Sequence, residues 1–210
     1  WRQTARTLLA AQAPPAKVLW SAAAQSHLFG AEPPPVMMQE QTALRVPAAF
    51  MRLAQLVSYH RDTERWDLLY QALYRLHSGE PRLLDDLADP LIHRLLRMEQ
   101  AVRRDEHKMH AFVRFKEIVS AEGPRYVAWF EPQHHIVHET ADFFVRRFTG
   151  MNWSIITPEA SAHWDGEKLS FGPGGKRSDV PADDARDDDW RAYYESMFNP
   201  ARLKVAAMKR

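Results

Sequence analysis

The chain has 210 residues, 45% hydrophobic and 26% charged, which is the composition of an ordinary globular protein with enough residues for a real core. A net charge of +1 argues against strong nonspecific binding to nucleic acid. The sequence has no cysteine, which excludes a disulfide, a cysteine-bound Fe–S cluster and a thiolate nucleophile. It has no apolar run long enough for a membrane-spanning helix. We therefore expect a cytoplasmic protein without a cofactor or a membrane partner.

The first part of the chain is predicted to be helical. Apolar residues recur at helical spacing in residues 1–13, again after Pro47, and again in residues 65–77. The run from Val18 to Trp20 favours a short strand. Residues 1–89 are therefore expected to form a helical N-terminal part.

The helix predicted to begin at Pro90 carries a carboxylate on its apolar face. The apolar positions of that face follow helical spacing, at Leu91, Leu95, Met98, Val102 and Met109. Asp105 falls on the same line, between Val102 and Met109. A buried carboxylate without a partner costs on the order of several kcal/mol, so Asp105 is expected to be buried and bound to an arginine such as Arg114. The alternative is that Asp105 serves as a functional acid.

The second part of the chain, residues 90–210, is predicted to contain a sheet. Residues 112–119 and 126–131 are rich in aromatic and β-branched residues and predict a β-hairpin. A helix is expected over residues 133–148, and helices are expected again from Trp190 onward. Between them a second hairpin is predicted, with strands from Trp153 to Thr157 and from Ser161 to Phe171, a turn near Pro158, and a tight Asp165-Gly166 turn inside or at the edge of the second strand. The order ββαββα predicts an α+β fold with a mainly antiparallel sheet, packed with the helical N-terminal part in one compact body.

Two sets of titratable residues are candidates for chemistry. His134 and His138 are four residues apart, and on a helix their rings would face one metal ion; solvated or core-edge histidines are the alternative. Asp105, His107 and His110 are candidates for general acid–base catalysis, since histidine titrates near neutral pH. The sequence shows neither a nucleophile elbow nor a phosphate-binding loop, so it points to no particular reaction.

Arginines and aromatic residues also suggest contacts with nucleic acid. On a strand, Phe112, Arg114 and Lys116 would share one face, where a base stacks on the ring and a phosphate pairs with the cations. The alternative is the ordinary wet face of a half-buried sheet. The candidate nucleic-acid-binding residues are Arg103, Arg104, Lys108, Phe112, Arg114, Arg146 and Arg147.

The sequence contains several long and specific motifs, which are Arg103-Arg104-Asp105, His107-Lys108-Met109, Phe112-Val113-Arg114-Phe115, Tyr126 to Pro132, Phe143-Phe144, Arg146-Arg147-Phe148, Trp164-Asp165-Gly166, Phe171 to Gly174 and Phe198 to Leu203. Together these motifs resemble a bacterial domain of unknown function that is usually labelled a probable DNA metabolism protein. The resemblance covers nearly the whole chain and implies a partner, either a neighbouring radical-SAM protein or a fused uracil-DNA glycosylase of the X type. The usual Tyr-Trp-x-Asn-Leu-Pro ending of that domain is missing, so we expect a truncated chain.

Three functions follow as hypotheses. The first is an accessory module that helps the partner or fused enzyme engage DNA, which it would bind weakly. The second is a protein-interaction module that docks the radical-SAM partner without touching DNA. The third is an enzyme in its own right that uses Asp105 with His107 or His110. Uracil excision is not expected of this chain, because it has no cysteines to bind the cluster of such a glycosylase.

Overall fold

A computed structural model describes residues 1–20, 46–120 and 123–180. The chain divides into two compact units, Trp1–Arg103 and Arg104–Arg210, and the boundary falls inside one long helix. The described part is α+β, as predicted, with helices followed by a five-stranded sheet. None of its helices is both long and apolar enough to cross a bilayer. The helices predicted from Trp190 onward lie outside the described residues.

The first unit is built from amphipathic helices around one apolar core. It contains α1 (Arg2–Ala10), α2 (Ala48–Ser58), α3 (Arg65–His77) and the first part of α4 (Pro90–Phe112). The face predicted for α2 is confirmed, since its buried residues are Phe50, Leu53, Ala54 and Val57. The strand predicted at Val18–Trp20 is wrong. Val18 and Trp20 instead follow a 3₁₀ turn (Pro15–Lys17) and pack against the helical core, which leaves them no strand partner among the described residues.

The second unit contains the sheet. Its elements are β1 (Lys116–Ser120), β2 (Gly123–Trp129), α5 (Val137–Arg147), β3 (Trp153–Ile156), β4 (Ala160–Trp164) and β5 (Leu169–Pro173). The spatial order follows the chain order, and β1–β2, β3–β4 and β4–β5 are antiparallel. The β2–β3 pair is parallel, because α5 carries the chain back to the starting end of the sheet. The mainly antiparallel sheet is thus confirmed, with one parallel pair.

Predicted element boundaries in the second unit differ from the structure. The stretch from Ser161 to Phe171, which counts as one strand in the predicted ββαββα order, is two strands. The tight turn expected at Asp165-Gly166 is confirmed and separates them, with Gly166 at φ +96°. The described elements therefore run ββαβββ. The first strand was predicted to begin at Phe112 but begins at Lys116, since α4 continues to Phe112 with Met109 and Val113 buried one turn apart.

The start of α5 is later than predicted, at Val137 instead of residue 133. The backbone N–H of His134 is bound by a side chain of α4, as described below, and the N–H of Ile136 donates to the carbonyl of His134 at 2.9 Å. Residues 133–136 therefore form a bend that leads into the helix. This bend sets the position of α5 against the last turns of α4.

Candidate nucleic-acid interface

The carboxylate of Asp105 connects α4 to the bend before α5. Its side chain is buried, as predicted, and its Oδ2 accepts a hydrogen bond of 2.8 Å from the backbone N–H of His134. Arg114, the expected partner, instead donates to the carbonyls of Ala111 and Val113 at 2.7 and 3.0 Å. Arg114 thus caps the end of α4, where carbonyl groups have no partner within the helix.

The last turns of α4 and helix α5 run in the same direction. Thr140 Oγ1 lies 3.1 Å from Met109 Sδ. One residue further along α4, the ring of His110 stacks on Phe143, with 3.9 Å between the ring centroids. Starting from the Asp105–His134 hydrogen bond, residues later in α4 therefore contact residues later in α5. Both helices end on the same side of the unit.

An aromatic cluster lies where the two helices end. Phe115, just after α4, meets Phe148, just after α5, edge to face at 5.2 Å between centroids. Phe115 also lies 5.9 Å from the buried Trp153 of β3, and Phe144 lies 6.2 Å from the same indole. Such edge contacts add about 0.5–1.5 kcal/mol each beyond burial. The cluster gives the helix ends a rigid base on the sheet.

The three candidate acid–base residues lie in different environments on α4. Asp105 is enclosed and already accepts a backbone hydrogen bond. His107 is exposed. The Nε2 atom of His110 is buried with no hydrogen-bond partner in the described part of the chain, and burial, followed by the neighbouring His107, lowers the pKa of His110. His110 is therefore a neutral ring packed on Phe143, an arrangement suited to packing.

Cations without carboxylate partners lie on the outer surface of the same two helices. Arg104 and Lys108 are exposed and four residues apart on α4, so they share one face. Arg146 is exposed in the last turn of α5. Among the residues that the structure describes, none of these three side chains has a hydrogen bond or an ion pair. Arg103, in the other unit, differs, since it pairs with Glu99 at 2.8 Å.

Two further arginines directly precede residues of the aromatic cluster. Arg114 directly precedes Phe115, and Arg147 directly precedes Phe148, whose ring lies 5.8 Å from the Arg147 guanidinium carbon. Since the two rings are in edge contact, the two arginines flank one junction. Arg104 lies about 12 Å before Phe112 along α4, from a rise of about 1.5 Å per residue. We call this elongated set, Arg104, Lys108, Phe112, Arg114, Arg146 and Arg147, the basic surface.

Phe112 is the aromatic member of the basic surface. It is the last residue of α4 and is 65% exposed. The prediction that it shares a strand face with Arg114 and Lys116 is wrong, because the strand begins after it. It is nevertheless adjacent to Arg114, whose guanidinium is held against the carbonyls on either side of Phe112.

The two candidate metal-binding histidines do not share a helix, contrary to the prediction. His134 is buried in the bend before α5, whereas His138 is exposed in its first turn, with its ring 4.0 Å from that of Phe171. In residues 1–20, 46–120 and 123–180, no three His, Asp or Glu side chains are grouped as metal ligands.

A buried hydrogen-bond network across β3, β4 and β5 was not predicted from the sequence. Ser161 Oγ donates to the carbonyl of Pro173 at 2.9 Å, so it accepts from Nε2–H of His163 at 2.7 Å. Nδ1 of His163 then accepts from Ser154 Oγ at 2.8 Å. Burial lowers the pKa of His163 to about 3, which keeps the ring neutral. Only the strand register, which pairs Ser154 with His163, reveals this network.

The geometry of the second unit defines a class of protein: an α+β module with a basic surface beside two parallel helix ends. A family model described as a domain of unknown function, DUF4130, matches residues 63–210. The chain belongs to this family. The match begins just before α3 and includes the basic surface, which confirms the sequence resemblance at the level of a domain of unknown function. Neither the curated proteins nor the solved structures that were searched gave a match to this chain.

Proposed function

We propose that the second unit is an accessory module for DNA repair or DNA metabolism that binds DNA weakly through the basic surface. The observation that carries the proposal is the set of exposed cations, three of them without a partner in the described residues, beside an exposed phenylalanine. Unpaired cations repel one another, and a phosphate backbone relieves that repulsion. The module would help a fused uracil-DNA glycosylase or a radical-SAM partner to engage DNA.

The strength of binding follows from the number of phosphate contacts. The basic surface has five cations, so about three to five phosphates are neutralised at once, and the slope of log K against log salt should be about −3 to −4. The whole chain has a net charge of only +1, so the residues outside the basic surface are net negative and add no attraction. We expect a dissociation constant in the micromolar range at low salt.

The test is fluorescence anisotropy of a labelled oligonucleotide over a range of salt concentrations. The informative variant combines Arg104→Ala, Lys108→Ala and Arg146→Ala, because these side chains have no hydrogen bond or ion pair with another described residue. The matched control combines Arg2→Ala, Arg6→Ala and Arg52→Ala, three exposed arginines of the first unit without partners among the described residues. Both variants lose the same charge.

The expected result is a salt slope that is smaller in magnitude by roughly 2 to 3 in the basic-surface variant and nearly unchanged in the control. If the salt slope falls equally in the two variants, the DNA is attracted by net charge alone and the basic surface is not a specific binding site. Absence of binding by the wild-type protein at low salt would overturn the DNA proposal. The near-neutral net charge would then favour the second candidate function, docking of the radical-SAM partner without DNA contact.

The chain itself should not excise uracil. It has no cysteine to bind an Fe–S cluster, and the candidate acid Asp105 is buried. Incubation with uracil-containing single-stranded DNA, followed by alkali, should leave the strand intact. Alkali-sensitive breaks that persist across independent preparations would contradict this expectation.

A further inference from the structure

Phe112 differs from the other aromatic residues around the helix ends. The rings of Phe115, Phe144, Phe148 and Trp153 contact one another, and Phe143 stacks on His110. Phe112 is 65% exposed and is one of three exposed large hydrophobic residues in the described chain, with Leu19 and Leu87. Leu19 and Leu87 lie in the first unit, so Phe112 is the exposed one next to the basic surface.

Cationic residues precede and follow Phe112 in the sequence. Lys108 is one helical turn earlier and is also exposed. Arg114 follows, and its guanidinium is held by the carbonyls of Ala111 and Val113, the residues on either side of Phe112 in the chain. A ligand that fits this arrangement offers a flat apolar face between two negative groups.

We infer that Phe112 makes the basic surface select unpaired DNA over duplex DNA, an inference that rests on the proposed function. In a duplex the base faces are stacked on one another, and only the phosphates and the base edges are accessible. An unpaired strand offers base faces as well as phosphates, and stacking on an aromatic ring tolerates any base. The cations then supply affinity for both forms of DNA, whereas Phe112 supplies the preference.

The experiment compares three labelled probes of about 12 nucleotides, the length that a small single-strand site covers. They are an oligothymidine strand, a duplex of the same length, and an abasic strand that keeps the phosphates but lacks the bases. Each is titrated with wild-type protein, Phe112→Ala, Phe112→Trp and the control Leu87→Ala. Leu87 is exposed to the same degree, at 66%, but lies in the other unit.

We expect Phe112→Ala to weaken binding to oligothymidine about tenfold, the effect of losing one modest stacking contact, and to leave duplex binding within about twofold. Phe112→Trp should retain the preference, Leu87→Ala should change nothing, and the wild-type protein should bind the abasic strand as weakly as Phe112→Ala binds oligothymidine. The abasic probe tests the same contact without a substitution, so a misfolded variant would not remove the test.

Two outcomes would overturn the inference while the proposed function stands. One is binding of oligothymidine and duplex with equal affinity and equal salt slope. The other is Phe112→Ala weakening both probes equally. If none of the probes binds at low salt, the proposed function fails, and the inference fails with it.

Discussion

The two faces of the last turns of α4 differ in every property that bears on function, although their residues alternate in the sequence. Asp105 and Met109 are buried, and each contacts the bend or the helix that follows. Arg104 and Lys108, their immediate neighbours, are exposed and have no partner in the described residues. One helix thus supplies both the structural support and the candidate binding surface. Substitutions one residue apart should therefore separate stability from binding.

The largest expected effect on stability is that of Asp105→Ala, at about 3 kcal/mol or more of unfolding free energy. The substitution removes the acceptor of the His134 N–H, leaves a cavity, and detaches the bend that positions α5. Asp105→Asn is the control, because it keeps an oxygen at the same position. Urea denaturation at neutral pH measures the unfolding free energy of both variants, and thermal unfolding measures their melting temperatures. A melting temperature of Asp105→Ala within about a degree of the wild type would contradict the structural role given to this carboxylate.

A smaller effect on the free energy of unfolding, about 2 kcal/mol, is expected when the pH is lowered. It comes from His163, a buried residue that is not part of the basic surface. The pKa of His163 is about 3 in the folded chain, against about 6.5 in an unfolded one. As the pH falls below 6.5 the unfolded state takes up the proton first, so this contribution to stability is present at pH 7 and is lost progressively toward pH 3.

The comparison of wild type with His163→Gln isolates that contribution. Their difference in unfolding free energy should narrow by about 2 kcal/mol between pH 7 and pH 5, measured by urea denaturation at constant ionic strength. Titrating carboxylates affect both proteins alike, so they cancel in the difference. A difference that stays constant over this range would mean that His163 is protonated as easily in the folded state as in the unfolded state.

The smallest expected effect is that of replacing both Arg104 and Lys108 by alanine. Stability should change by less than about 0.5 kcal/mol, because neither side chain has a hydrogen bond or an ion pair with another described residue and alanine favours helix. The same variant should show a weaker salt dependence of DNA binding. Thermal unfolding and anisotropy on one preparation give both results. A loss of stability comparable to that of Asp105→Ala would remove the distinction between the two faces.

Local patterns were sufficient to predict most of the described helices and the burial of Asp105. The bounds of α3 were predicted from helical spacing and from the glycine and proline that follow it, and these are local signals. Asp105 was predicted to be buried because helical phase alone places it between Val102 and Met109. The end of α4 was missed because Phe112 favours strands, whereas burial of Met109 and Val113 one turn apart continues the helix.

The candidate site was only partly predictable, because its geometry depends on contacts between distant segments. The arginines were identified as a group, but the Phe115–Phe148 contact beside Arg114 and Arg147 requires α4 and α5 to run in parallel. The His163 network likewise requires three strands in register. The partner expected for Asp105 was an arginine such as Arg114, but Arg114 binds backbone carbonyls of its own turn.

The single parallel pair of strands, β2 with β3, has a consequence for how the second unit folds. The β1–β2 hairpin and the β3–β4–β5 meander each pair strands that are close in sequence, so each closes small loops and forms early. The β2–β3 pairing requires the whole α5 segment to close a longer loop, and pairing between distant segments slows folding. We expect the two antiparallel pieces to form first and the packing of α5 to complete the sheet. The amide of Tyr126, which donates to the carbonyl of Asn152 across this pairing at 2.9 Å, would then gain protection from hydrogen exchange last.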